Sequence, residues 1–170
     1  MRKRLIMLFI AAICCMFGCR DDSKETVVYD DGMAEELSEN VIRCFKDEDE
    51  KKLEMLFCQK IKESGELSTE IQEAFAYIDG EIVSHDTPKG STGGGIIEFG
   101  KRTELSMNGK VTNIKTETGK VYSIYIHSYA ISTKTDYVGI TNIDIYLESE
   151  LVTENEDSSL QHFSIGDFLE

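Results

Sequence analysis

The sequence predicts an α+β fold with N-terminal helices packed on one face of a curved antiparallel sheet. Three observations carry this expectation. Apolar residues recur at helical spacing from Leu37 to Ile78. After Gly80 the period changes to two and β-branched and aromatic residues dominate. The 170 residues hold one Pro and show no Pro/Ser-rich linker or repeat, which fits a single domain beyond the N-terminal segment.

The chain opens on Arg2, Lys3 and Arg4, followed by the uncharged run Leu5–Phe17. A helix of those 13 residues is about 20 Å long, against a hydrocarbon core of about 30 Å. It is short for a membrane span and suits the apolar region of a signal peptide. The run ends in Met16-Phe17-Gly18-Cys19, which resembles the bacterial lipobox, with a small residue directly before the Cys. That resemblance implies cleavage after Gly18 and lipidation of Cys19, hence a protein held at the cell membrane by acyl chains and facing away from the cytoplasm. Residues 1–18 are read as the signal peptide, 19–32 as the lipidated Cys with a polar tether, and 33–170 as the domain. Loss of the signal leaves 15 basic against 32 acidic residues, a formal charge of −17. Phosphate-rich nucleic acid would be repelled by this balance, so anchoring is expected to come from lipid and no nucleic-acid partner is expected.

Leu37, Val41, Cys44 and Phe45 stand at i, i+4, i+7 and i+8, the stripe of an amphipathic helix. The acidic run 47–50 interrupts it and places carboxylates at the start of the next helix, where the dipole favours them. A second stripe, Leu53, Leu56, Phe57 and Ile61, predicts one continuous helix up to Gly65. Ser68 or Thr69 then caps a third helix, with Gln72 in capping-box position after Thr69. Ile71, Ala74, Phe75 and Ile78 form its apolar stripe before Gly80. Cys44 and Cys58 fit no metal spacing and are expected to be buried free thiols.

Strands are predicted over 81–84, 96–99, 111–117, 120–132 and 137–148. Residues 85–95, with the Gly-rich tract, read as a mobile loop or a broken strand edge. Thr118-Gly119 reads as a hairpin turn, and Leu160–Phe168 as a last short strand or a packed tail. In the long central strand Tyr122, Ile124, Ile126, Ser128 and Ala130 share one face, and Tyr125, His127 and Tyr129 the other. So long a strand is expected to twist strongly or carry a bulge.

The stretch from Leu53 through Ala74-Phe75-Ala76-Tyr77-Ile78-Asp79-Gly80 to Ser84 resembles the helix-to-first-strand region of small clostridial lipoproteins of unknown function. Lys115–Tyr122 and Gly139–Ile143 resemble their later strands. Those proteins are similar to the nuclear-transport-factor-2-like, or cystatin-like, superfamily. The resemblance implies a cone formed by a curved sheet wrapped over a helix, with a cavity at its open end. It implies no activity, because that fold hosts enzymes, binding modules and assembly domains.

No H-E-x-x-H, G-x-S-x-G, C-x-x-C or P-loop pattern occurs in the sequence. No cofactor or metal is expected. Asp79, His85, Asp86, His127 and Asp144 are the candidates for proton transfer in an enzyme reading. A pocket, if one opens, is expected to be lined by Phe75, Tyr77, Ile126, Ser128 and Ala130. Tyr125, His127 and Tyr129 form a candidate interaction face for a protein partner or a second copy of the chain. The expected role is therefore a ligand-binding or protein-interaction module on a lipid anchor, with an acid/base enzyme or a dimerising structural domain as the alternatives.

Overall fold

A computed structural model describes residues 32–148 and 162–169. The signal, Cys19 and the tether lie outside the described residues, as does the polar stretch before the last strand. Helices α1 (Gly32–Asp47), α2 (Glu50–Leu56), α3 (Gln59–Lys62) and α4 (Leu67–Tyr77) come first. Strands β1 (Ile82–Ser84), β2 (Lys89–Thr92), β3 (Ile97–Glu98), β4 (Lys101–Arg102), β5 (Leu105–Thr116), β6 (Val121–Ile131), β7 (Gly139–Leu147) and β8 (His162–Gly166) follow. The main sheet is antiparallel and open, in the order β1-β5-β6-β7-β8, with β2 sharing the β1 edge of β5. Strands β3 and β4 form a separate two-stranded ribbon. The α+β class holds, with the helices on one face of this sheet.

Burial explains the layering. Val41, Ile42, Phe45, Leu53, Ile71 and Ala74 from the helices meet Val111, Ile114, Ile124, Ile126, Ile143, Ile145 and Ile165 from the strands. Most of these are fully buried, each side chain contributing about 1.5–3 kcal/mol on leaving water. Gly109 lets α1 approach β5 closely, because a Cβ there would collide with the Ser38 hydroxyl.

Two helical expectations need correction. The stripe from Leu53 to Ile61 is broken between α2 and α3. Phe57 leaves the helix, bridges to Ile140 in β7, and the Cys58 N–H donates to the Ile140 carbonyl at 2.8 Å. Tertiary backbone pairing here overrides a helical period. The capping box also does not form. Helix α4 starts at Leu67, after Glu66 with no side-chain cap, and Leu67 is buried. Ser68 and Gln72 instead donate to the Glu50 carboxylate at 2.6 and 3.1 Å, tying α4 to the start of α2. The acidic junction behaves as expected: Asp49 caps α2 by accepting the Lys52 N–H at 3.1 Å.

In the sheet, β5 begins six residues earlier than the sequence pattern indicated, at Leu105 rather than Val111. It is bulged between Val111 and Ile114, where Asn113 has φ +52°. Asp86 accepts from Thr112 at 3.0 Å and from Asn113 at 2.5 Å, holding the β1–β2 crossing onto this bulge. The stretch 85–95 supplies an edge strand, β2, rather than a free loop. Strand β6 is irregular near its end, with register shifts against both neighbours. The last apolar stretch forms β8, paired with β7 from Asn142↔Gly166 to Tyr146↔His162.

Candidate functional site

The inner face of β6 is filled. Tyr122, Ile124, Ile126 and Ser128 are all buried there. The five residues expected to line one pocket do not meet. Phe75 stacks edge-on against Phe45 at 5.3 Å. Tyr77 packs on Tyr122 and Phe163, at 6.0 and 5.7 Å between ring centres. Ile126 is core, and Ala130 is half-buried. Of the five, Ser128 borders an open groove of about 240 Å³ that it shares with Met33, Leu37, Asn40, Met107 and Gly139. Tyr122 marks the Tyr77 end of β6, and six residues of strand separate it from Ser128, about 20 Å. A second groove of about 340 Å³ lies on the helical side, bordered by Arg43, Asp47, Asp49 and Lys52. Cys44, at its floor, is a buried free thiol like Cys58. Burial, and then the nearby Asp49, push the Cys44 thiol up, away from nucleophilic thiolate.

The five proton-transfer candidates are dispersed. Asp79 pairs with Lys120 at 3.0 Å at the surface. The His85 ring contacts the Asp86 carbonyl at 2.8 Å, and Asp86 is occupied at the β5 bulge. Asp144 accepts from Ser164 at 2.6 Å. His127 sits on the outer face with its Nδ1 3.0 Å from Thr141 Oγ1. Burial lowers its pKa below the ordinary 6.5, so it is neutral near pH 7. Among the described residues no three His, Cys, Asp or Glu side chains are placed to hold a metal ion.

The outer face gathers what the inner face lacks. Tyr125, His127 and Tyr129 line β6 as the alternation indicated, cross-strand register adds two rings, and the C-terminal tail adds a third. Tyr125 meets Tyr146 edge-on at 5.5 Å, and Tyr146 stacks on His162 at 5.1 Å. His127 lies between Tyr129, at 5.3 Å, and Phe168 of the C-terminal tail, at 5.5 Å. The Lys110 ammonium stands 4.8 Å over the Tyr125 ring, an attractive cation–π contact. Tyr125 and Phe168 are 38 % and 59 % exposed, and His162 is exposed as well. Tyr146 and His162 were missed by sequence reasoning because only the β6–β7–β8 register brings them beside Tyr125, and Phe168 because only the tail after β8 carries it to His127.

Residues 40–154 match a family described as a domain of unknown function, DUF5104. The chain belongs to the DUF5104 family. The match takes in the second half of α1 and all elements through β7, so the outer-face residues up to Tyr146 lie within the DUF5104 region. Strand β8 and Phe168 follow it. No curated protein matches the chain significantly.

Proposed function

We propose that this DUF5104 protein is a lipid-anchored bacterial surface protein that binds a protein partner through the outer face of its sheet. The observation that carries the reading is the aromatic cluster of Tyr125, His127, Tyr129, Tyr146, His162 and Phe168 on the face away from the helices. Rings set among Lys110 and Asp144 combine large contact area with polar tips, the composition that protein interfaces favour. The filled inner face directs recognition outward rather than to a small ligand inside the fold. The dispersal of the acid/base candidates weighs against the enzyme reading. The anchor rests on Gly18-Cys19 after a short apolar run, and the acidic body is consistent with attachment by acyl chains rather than by a basic patch. The order of helices before a bulged antiparallel sheet supports kinship with the clostridial lipoproteins and the nuclear-transport-factor-2-like superfamily.

A photo-crosslinking amino acid at position 125, expressed in the native host, tests the partner. The expected result is a discrete adduct with a different protein, absent when the same group replaces exposed Val83 on β1. Tyr146→Ala should lower that adduct about tenfold or more, as for a contact hot spot. An adduct with a second copy only would reassign the face to dimerisation, and an unlinked protein would end the proposal.

A further inference from the structure

We propose that the β3–β4 ribbon dips its tip into the interfacial layer of the membrane that holds the anchor, giving the domain a second attachment point. The inference rests on the lipid-anchor reading of Cys19. At the tip, Phe99 is fully exposed with φ +50°, and Ile97 and Ile96 are 62 % and 50 % exposed. Single exposed apolar side chains are ordinary on a protein surface, but three within four residues at the end of a projecting ribbon form a concentrated patch.

The ribbon continues the β2–β5 ladder outward. Beyond Thr92↔Met107, the Gly93 N–H donates to Ser106 at 2.8 Å and the Thr103 N–H to Ile96 at 2.8 Å. Ile97↔Arg102 lies five residues past Thr92, about 17 Å along the strand.

Two features select lipid as the occupant. Helix α1 begins at this same end of the molecule: a Cβ on Gly90 of β2 would run into Ala34 and the Glu35 backbone. The chain from Cys19 to Gly32 therefore joins the domain beside the ribbon, and its extended reach is up to about 45 Å. That reach lets the tip meet the bilayer while the anchor stays inserted. The charge also fits. Residues 96–104 carry Lys101 and Arg102 against Glu98 and Glu104, so the ribbon is locally neutral in a chain of formal charge −14 and meets less repulsion from an anionic surface than the body does. An aromatic ring at headgroup level flanked by basic side chains is favoured at an anionic interface. Because the anchor holds the tip close to the surface, a weak insertion suffices to orient the domain.

The chain has no Trp, so Phe99→Trp creates a single reporter. The processed, lipid-bearing protein is placed in vesicles of zwitterionic and anionic phospholipid, with some acyl chains brominated. Emission from Trp at position 99 is expected to shift to the blue and to be quenched by the brominated lipid. A Trp replacing Val83 serves as control. Strand β1 pairs with the far end of β5, nine residues from Met107 or about 30 Å, so its emission should stay water-like. Water-like emission at position 99 in protein retained on the vesicles overturns the ribbon contact and leaves the anchor standing. A blue shift that grows with protein concentration without vesicles assigns the tip to a second copy and overturns the proposal. Mass analysis of the same preparation reads the anchor separately, and an unmodified Cys19 removes the anchor and this proposal together.

Discussion

At the scale of single residues, Tyr122 joins the helical layer to the sheet. Its hydroxyl accepts the Asp79 N–H at 3.1 Å and donates to the Tyr77 carbonyl at 3.2 Å, so it closes the end of α4 from within the core. Tyr122→Phe keeps the ring and removes both bonds. It should cost about 1–3 kcal/mol, because a backbone N–H is left without that partner; urea unfolding reads this directly, and a cost near zero would mean water replaces the hydroxyl. His127 gives a prediction with a sign. Its pKa is lowered by burial, so the unfolded chain binds a proton that the folded chain resists. Its contribution to stability is therefore complete above the ordinary value of 6.5 and declines as pH falls through the lowered one. NMR titration should place the His127 midpoint below 6.5, and His127→Gln should flatten the loss of stability over that interval. A His127 midpoint at or above 6.5 would contradict the burial assignment.

At the scale of elements, the seating of α1 on β5 depends on Gly109. Gly109→Ala pushes a methyl group into Ser38 Oγ, which is buried and donates to the Ala34 carbonyl at 2.8 Å. The expected destabilisation is about 1–3 kcal/mol. Adding Ser38→Ala removes the colliding hydroxyl, so the double variant should lose less than the sum of the single losses. The same element shows where local pattern is informative. Strand β6 was legible because Ile124 and Ile126 alternate with Tyr125 and His127, and alternation alone decides the faces of a strand. The first half of β5 was not: Leu105, Met107 and Val111 do alternate with Ser106, Asn108 and Lys110, but Gly109 takes an inward place and breaks the apolar row. The break at Phe57 was equally hidden. Leu53, Leu56, Phe57 and Ile61 keep helical spacing across it, and the competing partner, Ile140, is remote in the chain. The candidate pocket residues are spread along the strand for a related reason: Tyr77 packs at the Tyr122 end of β6 and Ser128 lies toward the other, which local pattern does not reveal. On the outer face, alternation gave the β6 row, and pairing supplied the rings beside it.

At the scale of the whole molecule, the proposed anchor and the fold make separate demands. Cys19→Ala should abolish metabolic labelling with fatty acid and leave the leader attached, without altering the far-ultraviolet circular dichroism of the domain. Continued labelling would remove the anchor from the account. Charge acts at this scale too. The formal −14 keeps the body away from anionic surfaces, and the ribbon, neutral over residues 96–104, is the local departure from it.

The bond between Cys58 and Ile140 also fixes an order of events during biosynthesis. Translation delivers the N-terminal half first, and at roughly 5–20 residues per second several seconds pass before Ile140 leaves the ribosome. Through that interval the apolar stripes of the early helices have no strands to cover them. A chain in that condition is slow to lock into its final topology and remains a client for chaperones. In the export proposed above, where the chain crosses a membrane as an unfolded thread, that delay would preserve competence for translocation.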